Sequence, residues 1–208
     1  TLLKALEYIG MKMAERNMHI TLVVTGKALS CLKFKSTRYT SEVSVLQATP
    51  LTSREYSVLA SAVRRADQKF PIGSNWVHND LERHYSEEEL DMLSSRSIIQ
   101  NDVVFSSGGL TLLAVDLCFA LKYNLGCLTQ CLDAGDLEDT VAIVRRLVLA
   151  YRGRALTRGY IARCYSGITV SDYALLRVNA AYESKYGSRG ICGVNDDFFK
   201  WRREGRVD

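Results

Sequence analysis

The sequence predicts an α/β chain of α+β layout: a mixed β-sheet of four or five strands flanked by helices, then an all-helical C-terminal portion. Three observations carry this. Short apolar, β-branched runs recur at 19–24, 42–47, 103–105 and 110–113, each the length of a strand. Between them lie longer stretches whose apolar residues fall three and four apart, the period of a helix with one buried face. Beyond about residue 134 helical patterns dominate. The expected division is a sheet-bearing core over 1–133 and a helical portion over 134–208.

In chain order, Leu2, Leu3, Leu6, Ile9 and Met13 mark an amphipathic helix over 2–16. His19–Val24 reads as a strand ending in Thr25-Gly26. Leu32–Phe34 reads either as a short strand or as part of a helix after the glycine turn, and 42–47 is the next strand. Thr52-Ser53-Arg54-Glu55 is a capping box, hydroxyl and carboxylate each satisfying a free amide, with Tyr56, Leu59, Ala60, Val63 and Phe70 on one face of the helix it opens. Ser86-Glu87-Glu88-Glu89 is a second capping box, opening a helix to about Ile99. Val103–Phe105 is a strand, and Gly108-Gly109 turns it toward Leu110–Leu113. A helix over 115–125 stops near Gly126 or resumes to Leu132. Asp136 caps a helix over 137–151, and Thr169 caps a last one over 170–186, ended by Gly187. The charged tail 196–208, around Phe198, Phe199 and Trp201, reads either as a docked short helix or as partly disordered chain.

Bulk composition bounds the function classes. With 208 residues and 47% hydrophobic content the chain can bury a full core. Its longest apolar runs are far too short to span a bilayer, so no membrane role is expected. The chain opens at Thr1 already inside a helical pattern, which leaves a preceding leader open. The net charge of +4 permits a polyanionic partner without arguing for one. The basic residues are uneven: Arg145, Arg146, Arg152, Arg154, Arg158 and Arg163 fall in an acid-free stretch. The plain reading is a solvated helix face and a basic loop; the functional one is a phosphate or nucleic-acid contact. The six cysteines contain no C-x-x-C pair, and the three histidines have no zinc spacing to them. This usage reads as a reducing intracellular compartment, the cytoplasm, without disulfides.

The richest stretch is Val23–Leu46. A strand runs into Gly26-Lys27, and a second strand carries Glu42 and Ser44 two residues apart, hence on one face. A strand, a glycine turn and paired acids on one face is an arrangement that holds Mg²⁺ against a nucleoside triphosphate. Here the second acidic position is a serine and the residue after the glycine is a lysine.

Together with L-T-L-L-A-V-D-L-C-F-A-L-K and D-L-E-D-T-V-A-I-V further on, this order resembles the polymerase-β-type nucleotidyltransferase superfamily, in its antitoxin-like branch. The similarity covers roughly residues 2–149. That branch carries Gly-Gly or Gly-Ser at the turn and T-x-D-h-D on the second strand. The resemblance implies a nucleotidyltransferase-type sheet, with Gly26 as the first glycine and Lys27 in place of the second small residue. Thr40-Ser41-Glu42-Val43-Ser44 stands at the T-x-D-h-D position. Glu42 would be the metal ligand, or a base, while Ser44, a neutral hydroxyl, is a poor Mg²⁺ ligand beside a carboxylate. Lys122 matches a helix lysine, and Asp136 and Asp139 match a later cap. Asp102 stands at the entrance of the strand where a third acid belongs, and Asp116 opens the following helix.

Two-metal phosphoryl transfer needs clustered carboxylates, so the expected site is degenerate or repurposed, that of a pseudoenzyme or an altered transferase. It would bind a nucleotide or other phosphorylated ligand, with a weak Mg²⁺ site at most. Lys27, Lys122 and Arg38 would neutralise phosphate, and Ser41 and Ser44 would donate hydrogen bonds. The alternatives are a non-catalytic protein-binding module on the same fold, or a transfer enzyme using tRNA-borne or small-metabolite substrates.

Other residues have simpler readings beside functional ones. Ser106-Ser107-Gly108-Gly109 is a hairpin turn before it is an anion nest. Trp76, with Asn75, His78 and Asn79, either lines a pocket able to stack on a base or packs an edge of the core. His78 and His84 are candidate bases on intrinsic pKa alone, and Asp172 reads as a cap-turn acid.

Overall fold

A computed structural model describes residues 1–36, 40–79, 81–130 and 134–194. The expected elements at 196–208 lie outside the described residues, as does Arg38. The chain divides into two compact units, Thr1–Asp116 and Leu117–Asp208. The helix that follows Asp116 therefore belongs to the second unit, seventeen residues ahead of the division expected at 133/134.

The first unit is α1 (Leu2–Ala14), β1 (Ile20–Thr25), α2 (Gly26–Leu29) with a π-helical turn Ser30–Phe34, β2 (Val43–Gln47), α3 (Ser53–Lys69), β3 (Val77–His78), α4 (Glu87–Gln100), β4 (Val103–Ser107) and β5 (Leu110–Ala114). The strands form one mixed sheet in the order β3-β2-β1-β5-β4, with β1 antiparallel to β2 and parallel to β5. The fold is α+β, as the alternation of strand and helix patterns predicts. Leu32–Phe34 takes its helical alternative. Both capping boxes form: Thr52 accepts from the Glu55 amide and Ser86 from the Glu89 amide, while each glutamate bonds its cap residue's amide.

Register sorts the sheet into two faces. Ile20, Leu22 and Val24 of β1 lie beside Leu110, Leu112 and Ala114 of β5, and beside Val45 and Gln47 of β2. Helices α1 and α3 cover this face. Val23, Leu46 and Leu113 point the other way and are buried. Helix α4 adjoins β2 and β5, tied by Ser94 Oγ to the Gln47 carbonyl at 3.0 Å and by the Asp116 amide to Ser97 Oγ at 2.9 Å.

Helix α1 lies hard against the β4–β5 turn because glycine stands on both sides. A Cβ on Gly10 would sit 2.1 Å from the Ser107 carbonyl oxygen, and one on Gly109 2.2 Å from the Met18 oxygen. The approach lets the Gly109 amide donate to the Gly10 oxygen at 2.8 Å. Ser106-Ser107-Gly108-Gly109 is thus the hairpin turn of its simpler reading, with Gly108 at φ +55°. Strand β4 ends the sheet. Its pairing with β5 shifts register between Val103 and Phe105. Lys33 Nζ donates to Asp102 Oδ1 at 2.5 Å and to the Val103 carbonyl at 3.1 Å.

The second unit packs α5 (Leu117–Gln130), α6 (Ala134–Ala150) and α8 (Asp172–Tyr186) on one another, with a short α7 (Arg158–Arg163). Leu121, Leu125, Leu128, Ile143, Val144, Val178 and Tyr182 form the core. Helix α5 runs through Gly126, so the pattern resumes rather than stopping there. Asp136 lies inside α6 instead of capping it, and its carbonyl accepts from Thr140 Oγ1. Ser171, not Thr169, caps α8, because its hydroxyl reaches the Ala174 amide; Gly187 ends that helix at φ +70° as expected. Among its described residues the unit's only strands are one two-residue parallel pair, β6 (Leu156–Thr157) with β7 (Ile191–Cys192). Asn179, 6% exposed, anchors β7: its Oδ1 accepts from the Gly190 and Ile191 amides at 3.1 and 2.9 Å. None of the five described cysteines forms a disulfide. Among the described residues no helix is long and apolar enough to cross a membrane.

Candidate functional site

The first candidate is the corner where β1 ends and β2 begins. Antiparallel register sets Ser44 opposite Thr25, which brings the Gly26-Lys27 turn and the 41–44 segment to the same end of the strand pair. Gly26 adopts φ +61°, a conformation few side-chain-bearing residues take. A Cβ there would meet nothing within 4 Å, so the backbone, not crowding, requires the glycine. Lys27 is exposed at the start of α2, and Ser41 and Glu42 are exposed ahead of β2. Thr40 Oγ1 fixes the approach by donating to the Glu42 carbonyl at 3.0 Å and accepting from its amide at 3.2 Å. Ser44 is half-buried. The structure thus gathers Gly26, Lys27, Ser41, Glu42 and Ser44.

Asp102, Asp116 and Lys122, also expected at the site, have the following partners. Asp102 is bound by Lys33, an interaction across 69 positions that no local pattern signals. Asp116 follows β5, its amide held by Ser97. Lys122 is neither on a solvated face nor at a surface: it is 3% exposed inside the second unit, with Nζ 3.5 Å from the Ala162 carbonyl. Burial lowers its pKa by penalising the charged form. Among the described residues, no group of three or more His, Cys, Asp or Glu side chains is arranged to hold a metal ion.

The second candidate is a cavity of about 710 Å³ in the first unit. Leu22 and Val45 form its floor, and Leu59, Ala60 and Val63 of α3 one wall. Residues 74–79 close the other side, and Gln47, Arg64, Asp67 and Glu82 add polar groups. Trp76 makes this wall rigid. It is 1% exposed, its indole N–H donates to the Val63 carbonyl at 3.4 Å, and its own carbonyl accepts from the Val43 amide at 2.6 Å. The Trp76 cluster therefore takes its core-packing reading: the segment around the ring lines a pocket, but the ring itself is buried and offers no face for stacking on a base. Side chains alternate along β2, so this cavity, over Val45 and Gln47, opens on the face opposite Ser44. Sequence reasoning missed Arg64, Asp67 and Glu82. Their one available signal was the three-residue spacing of Arg64 and Asp67 on a helix face that also carries Ala60 and Val63.

The arginine-rich stretch is partly committed to structure. Arg158 pairs with Asp172 at 2.7 Å, and Arg145 donates to Tyr182 Oη at 3.3 Å and lies over the Tyr186 ring. Arg152, Arg154 and Arg163 are exposed. Nearby, Tyr160 Oη lies 2.6 Å from Tyr151 Oη and 2.9 Å from Cys118 Sγ, and burial followed by these contacts pushes its pKa up.

The molecule is therefore an α+β protein with a five-stranded mixed sheet in one unit and helices in the other; in the first unit an exposed polar corner at the β1–β2 strand end and a cavity over Leu22 and Val45 lie on opposite faces of the sheet. Over residues 1–189 the chain matches the family described as a domain of unknown function, DUF7582, and it belongs to that family. No curated protein and no solved structure matches it.

Proposed function

We propose that the protein is a nucleotidyltransferase-like binding protein of the cytoplasm. Its first unit would hold a nucleotide or another phosphorylated ligand at the corner of Gly26, Lys27 and 41–44. The observation that carries this reading is the β1–β2 register, which puts the exposed Lys27 ammonium at the same strand end as Ser41, Glu42 and Ser44. Lys27 neutralises phosphate, the two hydroxyls donate to its oxygens, and Glu42 holds a single Mg²⁺ or acts as a base. With serine at position 44, the carboxylate pair that two-metal chemistry requires is incomplete. If the site turns over, it is a transferase with altered chemistry.

Thermal unfolding with each nucleoside triphosphate, with and without Mg²⁺ and Mn²⁺, tests the reading. A ligand at a hundredfold excess over its dissociation constant adds about 2.7 kcal/mol, roughly 5–10 °C for a chain this size. One nucleotide is expected to produce that shift, and Lys27→Ala to remove it. No shift with any nucleotide, or a shift untouched by both Lys27→Ala and Glu42→Ala, refutes it.

A protein-binding role is favoured by one observation. Ile99 on α4 is 83% exposed, with Met92 two turns earlier on the same face at 43%. Such a partner would be lost with Ile99→Asp and indifferent to Glu42→Ala. A tRNA-borne substrate draws support from the exposed Arg152, Arg154 and Arg163; its signature is binding that weakens steeply with salt.

A further inference from the structure

We propose that the cavity over Leu22 and Val45 is a second binding site, distinct from the corner, and that it takes an aromatic amine. Its volume of about 710 Å³ lies within the range of small-molecule pockets. The floor and the α3 wall are apolar, which suits a flat hydrocarbon body.

The polar groups set the charge of the ligand. Two carboxylates, Asp67 and Glu82, and one guanidinium, Arg64, are among the groups that line the cavity. Among the described residues none of these three side chains has an ion-pair or hydrogen-bond partner. Arg64 and Glu82 are exposed and solvated, whereas Asp67 is half-buried. An ionised carboxylate only accepts hydrogen bonds, so the ligand must bring donors, and a positive charge complements the net negative lining. The fourth element is Tyr56 in the first turn of α3. It lines the cavity, is 60% exposed, and stacks on no ring among the described residues. Tyr56 lies eleven residues from Asp67 along α3, about 16 Å, so the ring of a ligand whose ammonium meets Asp67 rests on the apolar floor and Val63, not on Tyr56. A phosphorylated ligand would meet the opposite electrostatics here, which separates this site from the corner on the other face of the sheet.

The test compares two probes of one ring system and opposite charge, tryptamine and indole-3-acetate, by titration calorimetry on the whole chain. Tryptamine is expected to bind about tenfold more tightly or better, a difference of about 1.4 kcal/mol. Asp67→Asn, which keeps the cavity's shape, should erase the preference. Ala60→Leu, which fills the cavity from α3, should weaken both probes, with circular dichroism confirming the fold. Lys27→Ala should leave tryptamine binding unchanged, so the two sites fail or stand separately. Equal or reversed preference, no saturable binding of either probe, a preference retained in Asp67→Asn, or loss of tryptamine binding in Lys27→Ala each overturns the proposal.

Discussion

Replacing Gly10 by alanine sets two opposed effects against each other. In an isolated helix the substitution is favourable by about 1 kcal/mol, because glycine gives up more backbone freedom. In α1 the new methyl would stand 2.1 Å from the Ser107 carbonyl oxygen, where ordinary contact begins at 3.4 Å. The obstacle is backbone, so α1 or the β4–β5 turn must retreat. Such overpacking costs about 1–3 kcal/mol. The retreat also stretches the bond from the Gly109 amide to the Gly10 oxygen, worth about 1 kcal/mol. Packing wins, and the net loss is about 2 kcal/mol, a fall in melting temperature of roughly 4–8 °C. Gly126 in α5 is the control: a methyl there meets Ile168 Cγ2 at 3.4 Å and the Thr169 carbonyl oxygen at 3.8 Å, both ordinary contacts, so Gly126→Ala should gain up to about 1 kcal/mol. Urea unfolding of the three proteins, with each unit's transition followed separately, reads both. If Gly10→Ala is as stable as the parent, or moves in the same direction as Gly126→Ala, the account of the seam is wrong.

Three further outcomes are expected. Lys122→Met should stabilise the protein at pH 7 by about 1 kcal/mol, because it removes a buried charge with one long hydrogen bond. The lowered pKa means the folded state sheds this proton before the unfolded state does, so stability rises with pH between the two values and the variant's advantage shrinks. An advantage that is constant from pH 7 to 10 contradicts this. Asn179→Ala strands the Gly190 and Ile191 amides and should cost about 2–3 kcal/mol, with hydrogen exchange accelerating first at those two positions. Thr52→Ala should destabilise the first unit at neutral pH. Glu55, whose pKa is lowered first by the Thr52 side chain and then by its backbone amide, contributes above its unfolded value and loses that contribution as pH falls through the lowered one. The gap between variant and parent in melting temperature should therefore narrow in acid.

What could be read in the sequence is what depends on neighbours in the chain. The capping boxes at Thr52 and Ser86 need only a four-residue span, and both form as expected. Strands β1, β2, β4 and β5 announce themselves as apolar runs. Strand β3 does not, because a two-residue strand is defined by its partner, Val43 and Ser44, not by its own composition. The helix cap at Ser171 was misplaced by two residues, since Thr169 and Ser171 are equivalent in pattern and only geometry chooses between them. Distance in sequence hides the rest. Lys33 reaches Asp102, and Lys122, a charged residue in an apolar helix, carries no sequence mark of burial. At the corner, residue types on one strand pair could be aligned in advance. The opposite recess combines α3, β1, β2 and residues 74–82, and only the fold assembles it.

The ends of the sheet bear on how the molecule behaves in a crowded solution. A bare strand edge is a template on which another chain can lay itself down. At one end β3 offers two residues, too few to nucleate such growth. At the other, β4 is interrupted between Val103 and Phe105, and the Lys33 ammonium already occupies the Val103 carbonyl. An incoming strand would have to displace a charge and straighten a kink before its second hydrogen bond formed. Lys33 thus guards the free margin of the sheet, and a chain that lost it would be the one to self-associate as it emerges and folds.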